Sequence, residues 1–127
     1  MMSNDEKALF PEDLTRLFVE RANAADAAGI AALYEEHAVM AFPSGGTTRG
    51  RDDIRELWVK VLAAAPHFEM ETPLATLTSG DIALTCTLSK DGTGARAQVV
   101  RRQSDGSWLR LLDQPELMPP ARVAPST

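Results

Sequence analysis

The sequence predicts an α+β fold, with helices packed on one face of a curved antiparallel sheet. Three observations predict it. Apolar residues between Pro11 and Tyr34, and again between Ile54 and Leu62, recur with a helical period. From His67 to Gln114 the period changes to two, as in half-buried strands. Helices come first and a meander of strands afterwards, the order of an α+β domain.

Each element follows from its own residues. Pro11 suits a first helical turn, with Glu12 and Asp13 beside the positive helix end. Leu14, Leu17, Phe18 and Ala22 form the apolar face of this helix. Gly29 breaks the run, and Asp26 is placed to cap a short second helix carrying Ile30, Leu33 and Tyr34. Ala38 to Phe42 reads as a short strand, and "PSGGTTRG" as a loop. Asp52 and Asp53 open a third helix whose inward stripe is Ile54, Leu57, Trp58, Val61 and Leu62, ending at Pro66. "HFEMETPLATLT" alternates, with Phe68 and Met70 on one face and Glu69 and Glu71 on the other; Pro73 marks a bend or an edge. Ile82, Leu84, Cys86 and Leu88 then alternate with Ala83, Thr85, Thr87 and Ser89.

The last hairpin allows two registers. A two-residue Asp105-Gly106 turn sets Gln98, Val100 and Arg102 beside Leu109, Leu111 and Asp113. A three-residue loop of Ser104, Asp105 and left-handed Gly106 sets Ala97, Val99 and Arg101 there instead. The second gives the more apolar inner face and is preferred. Both put Asp113 with Leu109 and Leu111 inside, and Trp108, Arg110 and Leu112 on the convex face.

The chain has 127 residues, the size of one domain, here residues 1–115 followed by a flexible Pro-rich tail at 116–127. Hydrophobic content of 44% and charged content of 24% are those of a globular protein. A net charge of −5 argues against a nucleic-acid binder, which needs a basic footprint. No apolar run reaches the length of a membrane span or of a signal-peptide core, so a soluble cytoplasmic protein is expected. Cys86, the single cysteine, is expected to be a buried, inert thiol. His37, His67 and Cys86 form no zinc pattern. The order of strand, glycine loop and helix over residues 38–58 invites a phosphate-site reading. It fails, because Arg51 and Asp52 stand where a phosphate loop needs Lys and Ser or Thr, and two acids at a helix start repel an anion.

Several motifs in order carry a resemblance. They are the Asn-Ala-x-Asp segment at Asn23 to Asp26, the Ile-x-x-Leu-Tyr after it, the Pro-x-Gly-Gly loop, and Gly50 ahead of Asp53-Ile54. The ending "RRQSDGSWLRLLDQP" completes the set. Together the chain, over about residues 10 to 115, resembles the nuclear transport factor 2-like superfamily, in its SnoaL-like and ketosteroid isomerase-like branch. The resemblance implies a cystatin-like cone: a curved antiparallel sheet covered by three N-terminal helices, with an apolar pocket open at one end. It also implies a homodimer formed through the convex sheet face, near Trp108 and Leu112. The loop glycines would shape the pocket rim.

Ketosteroid isomerase works with an Asp base and an oxyanion hole of Tyr and protonated Asp. The resemblance puts those positions at Phe42, Phe18 and near Val99, all apolar here, so steroid isomerisation by that mechanism is not expected. What remains is Asp113. A carboxyl facing Leu109, Leu111, Phe18 and Phe42 would be desolvated, with a raised pKa, and would be a candidate general acid or base, much as a single pocket Asp is thought to serve in SnoaL-like cyclases. Phe18, Tyr34, Met40, Phe42, Trp58, Val99, Arg101 and Leu111 would line the substrate site, with Tyr34 and Trp58 as hydrogen-bond donors. A bland reading stands beside this one: Asp113 pairs with Arg101 or accepts backbone N–H bonds at the strand end, and Trp58 and Tyr34 fill the core. The remaining arginines of the last hairpin are read as solvated or dimer-facing. Three functions stay open: cofactor-free cyclisation, isomerisation or dehydration of a small apolar molecule; sequestration of such a molecule without turnover; and an association module. No metal, nucleic-acid or membrane partner is expected.

Overall fold

The computed structural model describes residues 5–43, 45–64 and 67–117. The elements are α1 (Asp13–Asn23), α2 (Ala27–Ala31), β1 (Tyr34–Met40), β2 (Thr48–Arg49), α3 (Arg51–Ala64), β3 (Thr72–Pro73), β4 (Leu77–Ser79), β5 (Ile82–Leu88), β6 (Ala95–Arg102) and β7 (Trp108–Gln114). One mixed sheet has the order β2-β1-β7-β6-β5-β3, with β4 also paired to β5. The α+β prediction holds, with two corrections. The first strand starts at Tyr34 rather than Ala38, and it runs parallel to β7. Tyr34 sits four residues after Ile30, so it fits a helical period equally well. The sheet claims it because the Leu33 carbonyl accepts the Arg110 amide at 2.8 Å.

The helices form as their patterns dictate. Leu14 and Leu17 of α1, Ile30 of α2 and Ile54 of α3 are fully buried; each is worth about 1.5–3 kcal/mol of transfer free energy. Asp26 caps α2 by accepting the Gly29 amide at 2.9 Å. Arg21 is buried on the inner side of α1, where it donates to the carbonyls of Gly29 and Glu6. Gly50 holds φ +89°, which a side chain would strain, and its amide joins the Ala38 carbonyl at 2.8 Å ahead of α3. Pro66, the predicted end of this helix, lies outside the described residues, as does the tail beyond Leu117.

Residues paired across strands share a face of the sheet, so the register assigns the faces. Ala83, Val100, Arg110 and Tyr34 form one row, and Thr85, Gln98, Asp113 and Met40 the next. All eight are buried, so these rows face the helices. Leu77, Leu84, Val99, Leu112 and Val39 form the outer row between them, with Leu77, Leu84 and Leu112 exposed. The apolar side of β5 is therefore its outer side, and the threonines point in. Cys86, expected to be buried, is half-buried on the outer face.

The hairpin loop is Ser104, Asp105 and Gly106 with Gly106 at φ +87°, as preferred from sequence, but the inward face is the other one. Arg101 pairs with Leu109 on the outside, and Val100 pairs with Arg110 on the inside. Then the register slips: Val99 pairs with Leu112, leaving Leu111 as an extra residue of β7. This bulge shifts the alternation by one. Asp113 consequently returns to the inner face, three residues after Arg110 instead of two. Trp108 and Arg110 are thus interior, not convex as expected.

Candidate functional site

The helices and the inner face enclose a cavity of about 670 Å³. Its walls are aromatic. Phe18 of α1 meets Trp58 of α3 at 5.1 Å and Phe68 at 5.6 Å, each edge to face. Phe42 completes this side. The floor is polar and buried: Gln98, Arg110 and Asp113. The mouth is formed by exposed His67, Glu69, Lys90, Asp91 and Glu116.

Asp113 is the centre of the floor. Tyr34 donates its hydroxyl to Asp113 Oδ2 at 2.5 Å, and Gln98 donates Nε2 to Oδ1 at 3.1 Å. Thr85 donates its hydroxyl to Gln98 Oε1 at 3.0 Å. Arg110 stands 3.8 Å from Oδ2 and donates to the Tyr34 hydroxyl at 3.4 Å. Its guanidinium lies over the Phe18 ring, 5.3 Å from the centroid. Burial, and then the charge of Asp113, push the Tyr34 hydroxyl far above the usual phenol range, so Tyr34 stays a donor. Arg110 Nε and Trp58 Nε1 are buried donors without an acceptor among the described residues.

A second pair sits nearer the mouth. Arg96 grips Glu71 with two bonds of 2.8 Å and donates to the Pro115 carbonyl at 2.6 Å. Burial alone would raise the Glu71 pKa, but the bonds from Arg96 and Thr87 outweigh it and hold it low. Residues 67–71 are not a strand, which lets Glu71 turn inward against the predicted alternation.

Of the residues named from sequence, the structure brings Phe18, Phe42, Trp58 and Asp113 together on the cavity. Tyr34 and Met40 are fully buried behind the floor, Tyr34 reaching the site only through Asp113. Val99 and Arg101 lie on the outer face, and Leu111 is the bulge residue; none lines the cavity. Arg101 pairs with Glu35 at 2.6 Å, not with Asp113. The surroundings of Asp113 are accordingly polar, not the leucines expected. Gln98, Thr85 and Arg110 were missed. Their signal was present: Thr85 and Gln98 are polar residues on strands where the other face is apolar. Among the described residues no cluster of His, Cys, Asp and Glu could hold a metal, and no helix is long and apolar enough to cross a membrane.

Residues 15–110 match the family model of the SnoaL-like domain. The chain belongs to the SnoaL-like domain family. No curated protein matches it. Among solved structures, a ketosteroid isomerase-like protein from Erwinia carotovora is similar, with a TM-score of 0.66 and 21% identity over 88% of this chain and 95% of that one. A protein of unknown function from Mycobacterium tuberculosis superposes with a TM-score of 0.64 at 20% identity, covering 81% of this chain and 70% of its own. A domain of unknown function with a cystatin-like fold from Nostoc punctiforme gives 0.66 at 16% identity, over 83% and 74%. These likenesses establish the nuclear transport factor 2-like fold for this SnoaL-like chain and leave its chemistry to its own residues.

Proposed function

We propose that this SnoaL-like domain holds a small, largely apolar molecule in the cavity and exchanges a proton with it through Asp113, without a cofactor. The observation that carries the reading is the buried Asp113 carboxyl on the floor of an aromatic-walled cavity. In the simplest step, Asp113 takes a proton from a carbon beside a ligand carbonyl. The C–H electron pair passes onto the carbonyl oxygen, and the proton returns from Asp113 to a carbon. Isomerisation and cyclisation both begin this way. The name of the ketosteroid isomerase-like relative points in the same direction, but Phe18 and Phe42 exclude a Tyr and Asp arrangement at the positions the resemblance assigns. A binding-only reading is favoured by one fact: both Asp113 oxygens already accept hydrogen bonds from the protein.

One experiment separates the two. The protein is mixed in heavy water with 2-tetralone, a ring ketone with exchangeable α-protons, and deuterium uptake is followed by NMR. The acid–base reading expects saturable exchange that Asp113→Asn abolishes while ligand affinity stays within about threefold. Binding without exchange supports sequestration.

The proposal includes a homodimer through the outer sheet face, supported by the exposed strip of Leu77, Leu84 and Leu112. Trp108 is no part of that interface, being buried on the inner side. A single domain over residues 1–115, and a reducing cytoplasmic setting that suits the unpaired Cys86, complete it.

A further inference from the structure

We infer that Thr85 and Gln98 are positioning residues that keep Asp113 fully hydrogen-bonded in both of its protonation states, by a coupled reversal of the Gln98 amide. The inference rests on the acid–base reading above. The three side chains lie in one row across β5, β6 and β7, each paired with the next. All three are nine-tenths buried, with exposures of 6%, 5% and 5%. No water need enter for the row to work.

The chemistry of the row is asymmetric at Asp113 and symmetric at Thr85. An ionised carboxyl only accepts, so Gln98 must turn Nε2 toward it, and Oε1 is left facing Thr85. Thr85 satisfies Oε1 by donating its hydroxyl, which is the arrangement observed. Once Asp113 has taken a proton, Oδ1 can carry the O–H. Gln98 turned over then accepts that O–H with Oε1 and directs Nε2 at Thr85. A hydroxyl both donates and accepts, so Thr85 simply rotates to receive it. The Gln98 amide and the Asp113 carboxyl are paired with each other before and after. A buried carboxyl backed by a fixed donor would lose a bond on protonation, and an unpaired buried group is costly. The row removes that penalty from the proton-bearing intermediate while Tyr34 holds Oδ2 throughout. The pairing also explains why a threonine and a glutamine occupy an inner face where Val100 and Ala83 are neighbours.

The test uses Thr85→Val, which keeps the shape and removes the hydroxyl, and Thr85→Ser, which restores it. In the 2-tetralone exchange assay, Thr85→Val should lower kcat about 3- to 10-fold with KM unchanged, and Thr85→Ser should recover the parent rate. A change in KM alone, or no rescue by serine, overturns the inference. A second readout needs no turnover. The Gln98 side-chain amide is followed in 1H–15N spectra as the protein is acidified from about pH 7 to about pH 3, which spans the ordinary carboxyl range. On acidification the Nε2 protons should gain nuclear Overhauser contacts to the side chain at position 85 in the parent and in Thr85→Ser, and not in Thr85→Val, where no hydroxyl can accept them. Nε2 protons that gain no such contact in the acidified parent overturn the inference. If 2-tetralone never exchanges yet the amide responds, the acid–base reading fails and the coupled row stands.

Discussion

Replacing Arg110 by Met tests whether the guanidinium is the counter-charge of the site. The change keeps an unbranched apolar stem and removes a cation that is 4% exposed, over an Asp113 that is 5% exposed. Breaking a buried ion pair by deleting one partner costs about 3–5 kcal/mol. Two features place this chain near the low end. The closest approach, 3.8 Å, is longer than a hydrogen bond, and Asp113 keeps its bonds from Tyr34 and Gln98. Loss of the contact with the Phe18 face adds about 0.5–1 kcal/mol. The expected total is therefore about 3.5–4 kcal/mol. Adding Asp113→Asn removes the stranded charge and should recover about 1–3 kcal/mol of that loss. Urea unfolding followed by the fluorescence of Trp58 and Trp108, both buried, reads each value. A single variant within about 0.5 kcal/mol of the parent, or a double variant whose loss is the plain sum of the two singles, would refute the pairing.

Tyr34 is the only tyrosine, and its folded pKa lies above the unfolded value of about 10. Its contribution to stability is complete below about pH 10 and lost as pH rises beyond it, so alkaline unfolding should accompany phenolate absorbance; phenolate forming near pH 10 in folded protein would contradict this. Light scattering should give twice the mass of one chain, and Leu84→Glu with Leu112→Glu should give one; a monomeric parent at micromolar concentration removes the outer-face interface. Asp26→Ala should cost about 1 kcal/mol in urea unfolding, because the Gly29 amide loses its cap, while Asp26→Asn should cost little.

The parts of the fold that depend on local pattern were legible. Asp26 reads as a cap because a short polar side chain before Ala27 can reach an amide three residues on. The stripe Ile54, Leu57, Trp58, Val61 and Leu62 reads as an inward helix face for the same kind of reason. Faces of strands were harder. On β5 the more apolar set, Ile82, Leu84, Cys86 and Leu88, lies outside, because the inner face serves a polar floor: Thr87 lines the cavity and Thr85 bonds to Gln98. A rule that sends the greasier side inward fails where the inside is a site and the outside is itself apolar. Asp113 stands out in the sequence because it ends an apolar run; Gln98 does not, because the alternation that sends Val99 inward sends Gln98 out.

The bulge at Leu111 joins these points. With strict alternation, Arg110 and Leu112 share one face and Leu111 and Asp113 the other, so no regular strand brings Arg110 and Asp113 to the same side. One extra residue does, and it also keeps Trp108 inside while Leu109 and Leu112 stay out. β1 makes a matching irregularity between Tyr34 and Val39, which carries Tyr34 beside Arg110 and Met40 beside Asp113. The phenol, the guanidinium and the carboxylate therefore meet through two departures from ideal pairing on neighbouring strands. Neither is signalled by Gly or Pro, and period-two reading passes straight across both. The chemistry of this chain sits where its strands stop being regular, because only there can residues of odd spacing share a face.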